Sequence, residues 1–305
     1  MRKNRIVILL ILLIALLLTT TGCCIIDYLV QSIAPTGNIH EYTSQWGQLQ
    51  VHFIDVGQAD AILVICDGET MLIDGGNTGD SNLLYSYLQR NQIDHLDYVV
   101  GTHAHEDHIG GLSGALTYAT ADAVYCPTVS YDSKAFENFA KAAADRDCEI
   151  QIPQAQMTFD LGSAHAEILA VNAASDTNNS SIVLKLTHGE VSFLFMADAE
   201  YEVEQILEET YGEDLDCTVL KVGHHGSSTS SSYSFLWHAM PEYAVISVGK
   251  DNSYGHPEDS VLSRLEDTGA QLFRTDMQGD IFAVSDGNSV SFTVTRNARA
   301  DTYGG

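Results

Sequence analysis

Four potential metal ligands crowd into six residues of this chain, His103-Ala104-His105-Glu106-Asp107-His108, directly after the apolar stretch Leu96–Val100. This run restricts the fold more than any other feature, because it needs a buried strand whose end opens into a loop. Such a loop can aim alternate side chains at one point, so His103 and His105 can share one metal ion. Asp107 and His108 then point to a second position close by. Imidazole with carboxylate suits zinc, manganese or iron, so up to two divalent transition-metal ions are expected, zinc first and manganese next. The competing reading is a histidine-rich surface turn that binds nothing. Four ligand types in six residues, flanked by Gly110 and Gly111, argue against it.

Strand and helix signals alternate around that run. Leu49–Val56, Ala61–Cys66 and Thr70–Ile73 read as strands, the last two joined by the turn Asp67-Gly68-Glu69. Ser81–Arg90 and Lys134–Asp147 carry helical spacing. Later, Ala166–Val171, Ser181–Leu186, Ser192–Met196, Cys217–Val222, Tyr243–Val248 and Gln271–Arg274 read as strands. Helices fall at Glu200–Tyr211 and Ser260–Asp267, and Ile281–Val284 with Ser289–Thr295 forms a closing hairpin. Two similar halves of this kind suit two sheets packed face to face with helices outside. With 45% apolar and 18% charged residues, the chain has the composition of a folded globule. Periodicity alone stops at one α/β domain, expected over residues 48–298.

Three further motifs stand in order with the first. They are Leu72-Ile73-Asp74-Gly75-Gly76, then Phe195-Met196-Ala197-Asp198-Ala199-Glu200, then Gly223-His224-His225-Gly226-Ser227. Together with the histidine run they resemble the metallo-β-lactamase superfamily. Phe53-Ile54-Asp55-Val56-Gly57-Gln58-Ala59-Asp60-Ala61, Leu220-Lys221-Val222 and Tyr254-Gly255-His256-Pro257 are similar to the soluble domain of ComEC-like competence proteins. The resemblance implies an αββα four-layer fold. It implies Asp74 orienting the metal loop from behind, Asp198 bridging two metals, and a late histidine ligand drawn from His224 or His225. The expected metal set is therefore His103, His105, Asp107, His108, Asp198, His224 and His225, with the choice between the last two left open. Asp107, Asp198, His225 and His256 are expected to carry the reaction.

Two departures from the family pattern matter. Ala59 stands where the ComEC-like group usually has glycine, which alters a turn and removes no ligand. The third-motif histidine of true β-lactamases is replaced by Asp176-Thr177-Asn178-Asn179-Ser180-Ser181. One metal position then lacks an imidazole and is left with Asn178 or water. Asn178, Ser181 and Lys221 are expected around the ligands. Lys221 and the run Ser227–Ser230 are placed where they could meet a phosphate, although a serine-rich loop is more often a solvated turn. His40, His52, His95, His165, His188 and His238 lack motif context and read as structural or surface residues.

The N-terminus stands apart. Arg2, Lys3 and Arg5 precede the apolar run Ile6–Leu18, then Thr19-Thr20-Thr21-Gly22-Cys23-Cys24. Residues 1–24 read as a secretory or lipoprotein signal with Cys23 lipidated, or as an uncleaved anchor over Ile6–Ile26, or as a signal for clean secretion. Residues 25–47, with Pro35 and Gly37, suit a linker. All three readings place the domain outside the cytoplasm. The remaining cysteines Cys66, Cys126, Cys148 and Cys217 have no CxxC spacing, which argues against a cysteine zinc knuckle and favours buried thiols.

Net charge is −27, from 41 acidic and 14 basic residues, and without Arg2, Lys3 and Arg5 only 11 basic ones remain. Such a surface repels polyanions at long range, so avid nucleic-acid binding is not expected. A metal pair lowers the pKa of water from about 16 towards roughly 7 and so supplies hydroxide at neutral pH. The leading expectation is phosphodiester hydrolysis, on nucleic acid or a smaller molecule. The alternatives are ester, lactone or β-lactam hydrolysis, and a non-catalytic accessory module. The missing third histidine counts against a β-lactamase, and the intact ligand run against a pure binding module.

Overall fold

The structure is a computed structural model and describes residues 47–304. The expected signal, Cys23 and nearly all of the linker lie outside the described residues. The chain first lays down an antiparallel meander, β1 (Leu49–Phe53), β2 (Ile62–Cys66) and β3 (Glu69–Ile73). Helix α1 (Ser81–Arg90) crosses over to β4 (His95–Val100), which pairs parallel with β3. Two short helices follow, α2 (Glu106–Ile109) and α3 (Leu112–Tyr118), then β5 (Thr120–Tyr125), α4 (Lys134–Ala144) and β6 (Ile150–Gln151). The closing hairpin β14 (Ile281–Ser285) and β15 (Val290–Val294) returns to β1, giving the strand order β15-β14-β1-β2-β3-β4-β5-β6.

The second sheet contains β7 (Thr158–Leu161), β8 (Ala164–Ala170), β9 (Val183–His188), β10 (Val191–Phe195), β11 (Val219–Lys221), β12 (Tyr243–Ile246) and β13 (Gln271–Arg274). These run in order from β7 to β13 across the sheet. Its helices are α5 (Tyr201–Tyr211), α6 (Tyr233–Ala239), α7 (Asp259–Thr268) and the short α8 (Thr275–Gln278).

Three apolar clusters show the layers. Phe53, Val64, Met71, Phe193, Phe195 and Val245 meet between the two sheets. Leu72, Leu88, Val99 and Phe139 pack the first sheet against α1, α3 and α4. Leu194, Val203, Leu220, Phe235 and Leu265 pack the second sheet against α5, α6 and α7. A sheet buried on both faces favours apolar residues at successive positions, which β2 (ILVIC) supplies, while β1 (LQVHF) turns Leu49, Val51 and Phe53 into the sandwich and buries Gln50 and His52. The αββα sandwich expected from the motifs is the observed fold.

This architecture collects functional residues at one rim. β3, β4 and β5 are mutually parallel, as are β10, β11, β12 and β13, so their carboxyl ends share directions within each sheet. Loops leaving carboxyl ends are where open α/β sheets place ligands. Asp74 follows β3, the histidine run follows β4, Asp198 follows β10, and His224 and His225 follow β11.

Candidate metal centre

The histidine loop is pinned to the Asp74 loop backbone to backbone. Gly75 N–H donates to His108 O at 2.7 Å and Gly111 N–H donates to Gly76 O at 3.1 Å. A Cβ on Gly111 would collide with the Gly75 carbonyl, so this approach requires glycine. Asp74 itself has a positive φ of 58°. Its carboxylate accepts from Thr102 N–H at 2.8 Å and Thr102 Oγ1 at 2.7 Å, and it lies 2.8 Å from His108 Nδ1. That contact leaves His108 Nε2 to face the centre.

The potential ligands form two groups that share Asp198. Asp107, His108, Asp198 and His225 make one, and His103, His105 and Asp198 make the other. In the first, His108 Nε2 stands 3.3 Å from Asp198 Oδ1, and His225 Nε2 stands 3.7 Å from that oxygen and 3.5 Å from Asp107 Oδ2. In the second, His103 Nε2 is 3.1 Å from His105 Nδ1 and 3.7 Å from Asp198 Oδ2.

A divalent cation fits the first group on two observations. His108 Nε2, His225 Nε2 and Asp198 Oδ1 are buried and have no hydrogen-bond partner, a state native proteins rarely tolerate. Ligands about 2.0–2.1 Å from a tetrahedral ion stand roughly 3.3–3.4 Å from one another. The measured 3.3, 3.5 and 3.7 Å are close to that.

The electrostatics point the same way. Burial opposes charge on His108, yet Asp198 and Asp74 overcome it and raise its pKa well above the ordinary value. Burial likewise opposes charge on His225, but Asp198, Asp107 and Asp60 push it up to about 10. Against its own burial, Asp198 is held well below the usual carboxylate range by His108 and His225. Asp107, also against burial, drops to about 2 beside His225 and His108. His103, by contrast, is lowered by burial and then by His108. The buried carboxylates around His108 and His225 thus demand positive charge at this point. A bound cation would supply it, with both imidazoles neutral as ligands.

Position separates the two late histidines. Both have left-handed backbones, φ 49° for His224 and 53° for His225, so they form a turn and not a strand end. His225 is buried with Nδ1 on Ser247 O at 3.0 Å and Nε2 among the ligands. His224 falls in neither ligand group. It lines the pocket above the centre, with Nδ1 3.1 Å from both Glu200 Oε1 and Thr229 Oγ1 and Nε2 3.6 Å from Asp198 Oδ2. His256 shares that pocket of about 370 Å³, its ring centroid 5.8 Å from that of His224. Burial and the neighbouring histidines lower its pKa.

Asn178 lines the same pocket. Its Nδ2 donates to Glu200 Oε1 at 3.3 Å, while its Oδ1 is buried without a partner. Ser181 Oγ accepts from Asp198 N–H at 3.3 Å and so braces the residue that the two groups share.

Lys221 departs from expectation. Instead of meeting a phosphate it is 1% exposed, its Nζ 2.7 Å from Asp60 Oδ2. Buried and paired with that carboxylate, the ammonium has no free charge to offer a substrate. Arg274 is similarly withdrawn, paired with Asp276 at 2.8 Å. Sequence reasoning quoted Asp60 within a motif and gave it no role. It is buried, and its unpartnered Oδ1 lies 3.4 Å from His225 Nδ1. Its pKa is lowered because Lys221 and His225 outweigh burial. Of the histidines read as structural or surface residues, His40 lies outside the described residues. His52 sits buried against Tyr87 Oη at 3.0 Å, and His165 is exposed beside Asp160. All four cysteines of the described residues are buried and free.

A fold of two sandwiched sheets with histidine and aspartate ligands gathered at one rim defines a class, and comparison agrees with it. The Lactamase_B model, described as metallo-beta-lactamase superfamily, matches residues 54–250, and the chain belongs to that superfamily. Within it, the chain is 29% identical over 252 residues to ComE operon protein 3 of Bacillus subtilis, covering 76% of this chain and 32% of that protein. It is 31% identical over 228 residues to competence protein ComA of Neisseria gonorrhoeae, covering 74% and 30%. The ComEC-like resemblance therefore holds, and the chain spans about a third of the length of these curated relatives. The metallo-β-lactamase fold protein YhfI from Bacillus subtilis superposes with a TM-score of 0.52 at 13% identity, covering 81% of this chain and 100% of that one, which speaks to fold alone.

Proposed function

We propose that this chain is an exported, divalent-metal-dependent hydrolase of phosphodiester bonds. The observation that carries the reading is the pair of ligand groups sharing Asp198, with three buried ligand atoms that no protein group satisfies. Bound there, divalent ions supply Lewis acidity and an acidified water at neutral pH. Asp198 orients both groups, held by Ser181. His225 rests its Nδ1 on Ser247 O and leaves its unpartnered Nε2 among the ligand atoms, so its part is to hold an ion. His224 and His256 face the pocket and are placed to hydrogen-bond the substrate or return a proton to its leaving group. Glu200 and Thr229 fix the direction of the His224 ring. The choice of phosphodiesters over carboxylic esters rests on the ComEC-like motifs and the competence-protein relatives, since this fold hosts many reactions.

The test is metal analysis together with a panel of chromogenic phosphodiesters, esters and a β-lactam. Zinc or manganese should bind and diesters should be the preferred substrates. No metal after reconstitution, or exclusive ester hydrolysis, refutes the proposal. Cleavage of single-stranded DNA should show weak binding that tolerates salt, since a chain of net charge −27 gains little from counterion release. Export through Cys23 is tested by fractionation: Cys23→Ser should leave the membrane fraction and Cys24→Ser should not. Equal retention of the two variants would favour the uncleaved anchor.

A further inference from the structure

We propose that Tyr254 is a stacking platform for a nucleobase carried by the scissile diester, so that the preferred substrate is a small nucleotide diester. The inference rests on the phosphodiester reading above. It comes from what the pocket wall offers a substrate beyond the metal groups.

Tyr254 is 69% exposed, and among the large hydrophobic side chains exposed in the described residues it alone lines the pocket of the centre. Its ring stacks on His256, with centroids 5.7 Å apart and planes at 25°. Its hydroxyl makes no hydrogen bond within the described residues. Folding gains little from an aromatic ring left in water, yet its backbone is firmly braced. Asn252 Nδ2 donates to Gly249 O at 2.9 Å and His256 O at 2.6 Å, and Asn252 Oδ1 accepts from the N–H groups of Tyr254 and His256, each at 3.1 Å. Gly249 N–H in turn donates to Gln58 Oε1 at 3.0 Å. An exposed ring on a cross-braced loop has already met much of the ordering cost of binding.

Charge narrows the ligand. No lysine or arginine of the described residues lines this pocket, while Glu106 and Asp107 do. Lys221 is locked on Asp60, and Lys250 lines a neighbouring cavity that shares His256 with this pocket. A substrate larger than its scissile group therefore finds no ionic handhold among the residues of this pocket itself. A π-face remains, and it binds any base without relying on charge. Stacking also suits a chain that repels long polyanions, because it rewards one flat ring near the centre and not a charged strand.

The experiment uses the metal-loaded full chain with two probes, a thymidine dinucleotide and the same diester with one thymine replaced by hydrogen. Wild type should prefer the dinucleotide through KM. Tyr254→Ala should raise its KM by roughly 5- to 150-fold, the range of one lost base–aromatic contact, with kcat changed much less. The kcat/KM ratio between the two probes should collapse towards one in Tyr254→Ala and persist in Tyr254→Phe. An unchanged ratio in the alanine variant overturns the proposal, as does a phenylalanine variant that loses as much as alanine, which would assign the effect to the hydroxyl. Cleavage of neither diester by wild type overturns the phosphodiester reading itself, and the two failures are thus told apart.

Discussion

The group built on Asp107, His108, Asp198 and His225 has four ligand atoms, whereas the group built on His103, His105 and Asp198 has three. Their supports differ as well. His108 Nδ1 rests on Asp74 at 2.8 Å, and His225 Nδ1 rests on Ser247 O with Asp60 at 3.4 Å. In the other group, His103 Nδ1 meets only the Thr102 hydroxyl at 3.3 Å, and His105 uses Nδ1 itself towards the centre. A carboxylate or carbonyl behind an imidazole fixes its tautomer and raises its basicity. Asn178, in the segment that replaces a third histidine, lines the same pocket with its Oδ1 buried and without a partner. The difference teaches that two positions sharing one carboxylate need not be equally strong, and that strength is set behind the ligands.

The harshest way to break this comparison is to remove ligands. His108→Ala or Asp107→Ala should cost more activity than the roughly 10- to 100-fold typical of losing an outer partner. His105→Ala should also abolish turnover if both positions are needed. His165→Ala, on an exposed residue, should match wild type. Near-normal rates in any of the first three would show that the group concerned is not catalytic.

Next comes the support behind His225. Removing one member of a buried ion pair typically costs about 3–5 kcal/mol, because the other charge is stranded. Lys221→Met and Asp60→Asn should each destabilise on that scale in denaturant unfolding of the metal-free chain. The double variant should regain part of the loss, since two neutral groups strand no charge. Metal affinity supplies the second readout. Variants lacking Asp60 should bind the ion less tightly by about 10- to 100-fold at the stronger position. Full affinity in the double variant would make the pair structural alone.

How much of this was legible in the sequence follows from where partners lie. The histidine run could be read because its ligands are neighbours and a strand end presents them together. Asp74 and Asp198 could be read through family motifs. The Asp60–Lys221 pair could not, because β2 and β11 belong to different sheets and only the sandwich brings their ends together. A lysine in sequence suggests an exposed charge, and burial between β10 and β12 overrules it. Helix α3 was missed because it is short and contains Gly114, a poor helix former. Packing explains that residue, since a Cβ there would strike the Ser81 carbonyl. β5, β6 and β7 were missed too, being half-exposed or very short and lacking the continuous apolar run of β2.

A smaller effect should separate the two positions directly. Dialysis against graded chelator should remove one equivalent of metal before the other. Asn178→Ala should make that first loss easier without affecting the second ion. If both ions leave together, or Asn178→Ala weakens both equally, the positions are not unequal in the way their ligand sets imply.

The smallest expected effect lies at a third cluster, which tests whether proximity of ligand types is enough. His95, Asp97 and Asp122 also bring ligand atoms together. There the histidine and Asp122 side chains are 44% and 71% exposed, against 0–3% for His103, His108 and Asp198. Each group is also already satisfied or solvated. His95 Nδ1 bonds Thr120 Oγ1 at 2.9 Å, and Asp97 Oδ2 accepts from Thr70 N–H at 2.7 Å. Water competes for every remaining lone pair, so an ion gains little by entering. His95→Ala should therefore leave metal stoichiometry and turnover unchanged and move stability by no more than about 0.5 kcal/mol. Loss of a metal equivalent in that variant would mean that burial and unsatisfied atoms do not distinguish a built centre from chance proximity. The two groups around Asp198 would then be set apart by their motifs alone.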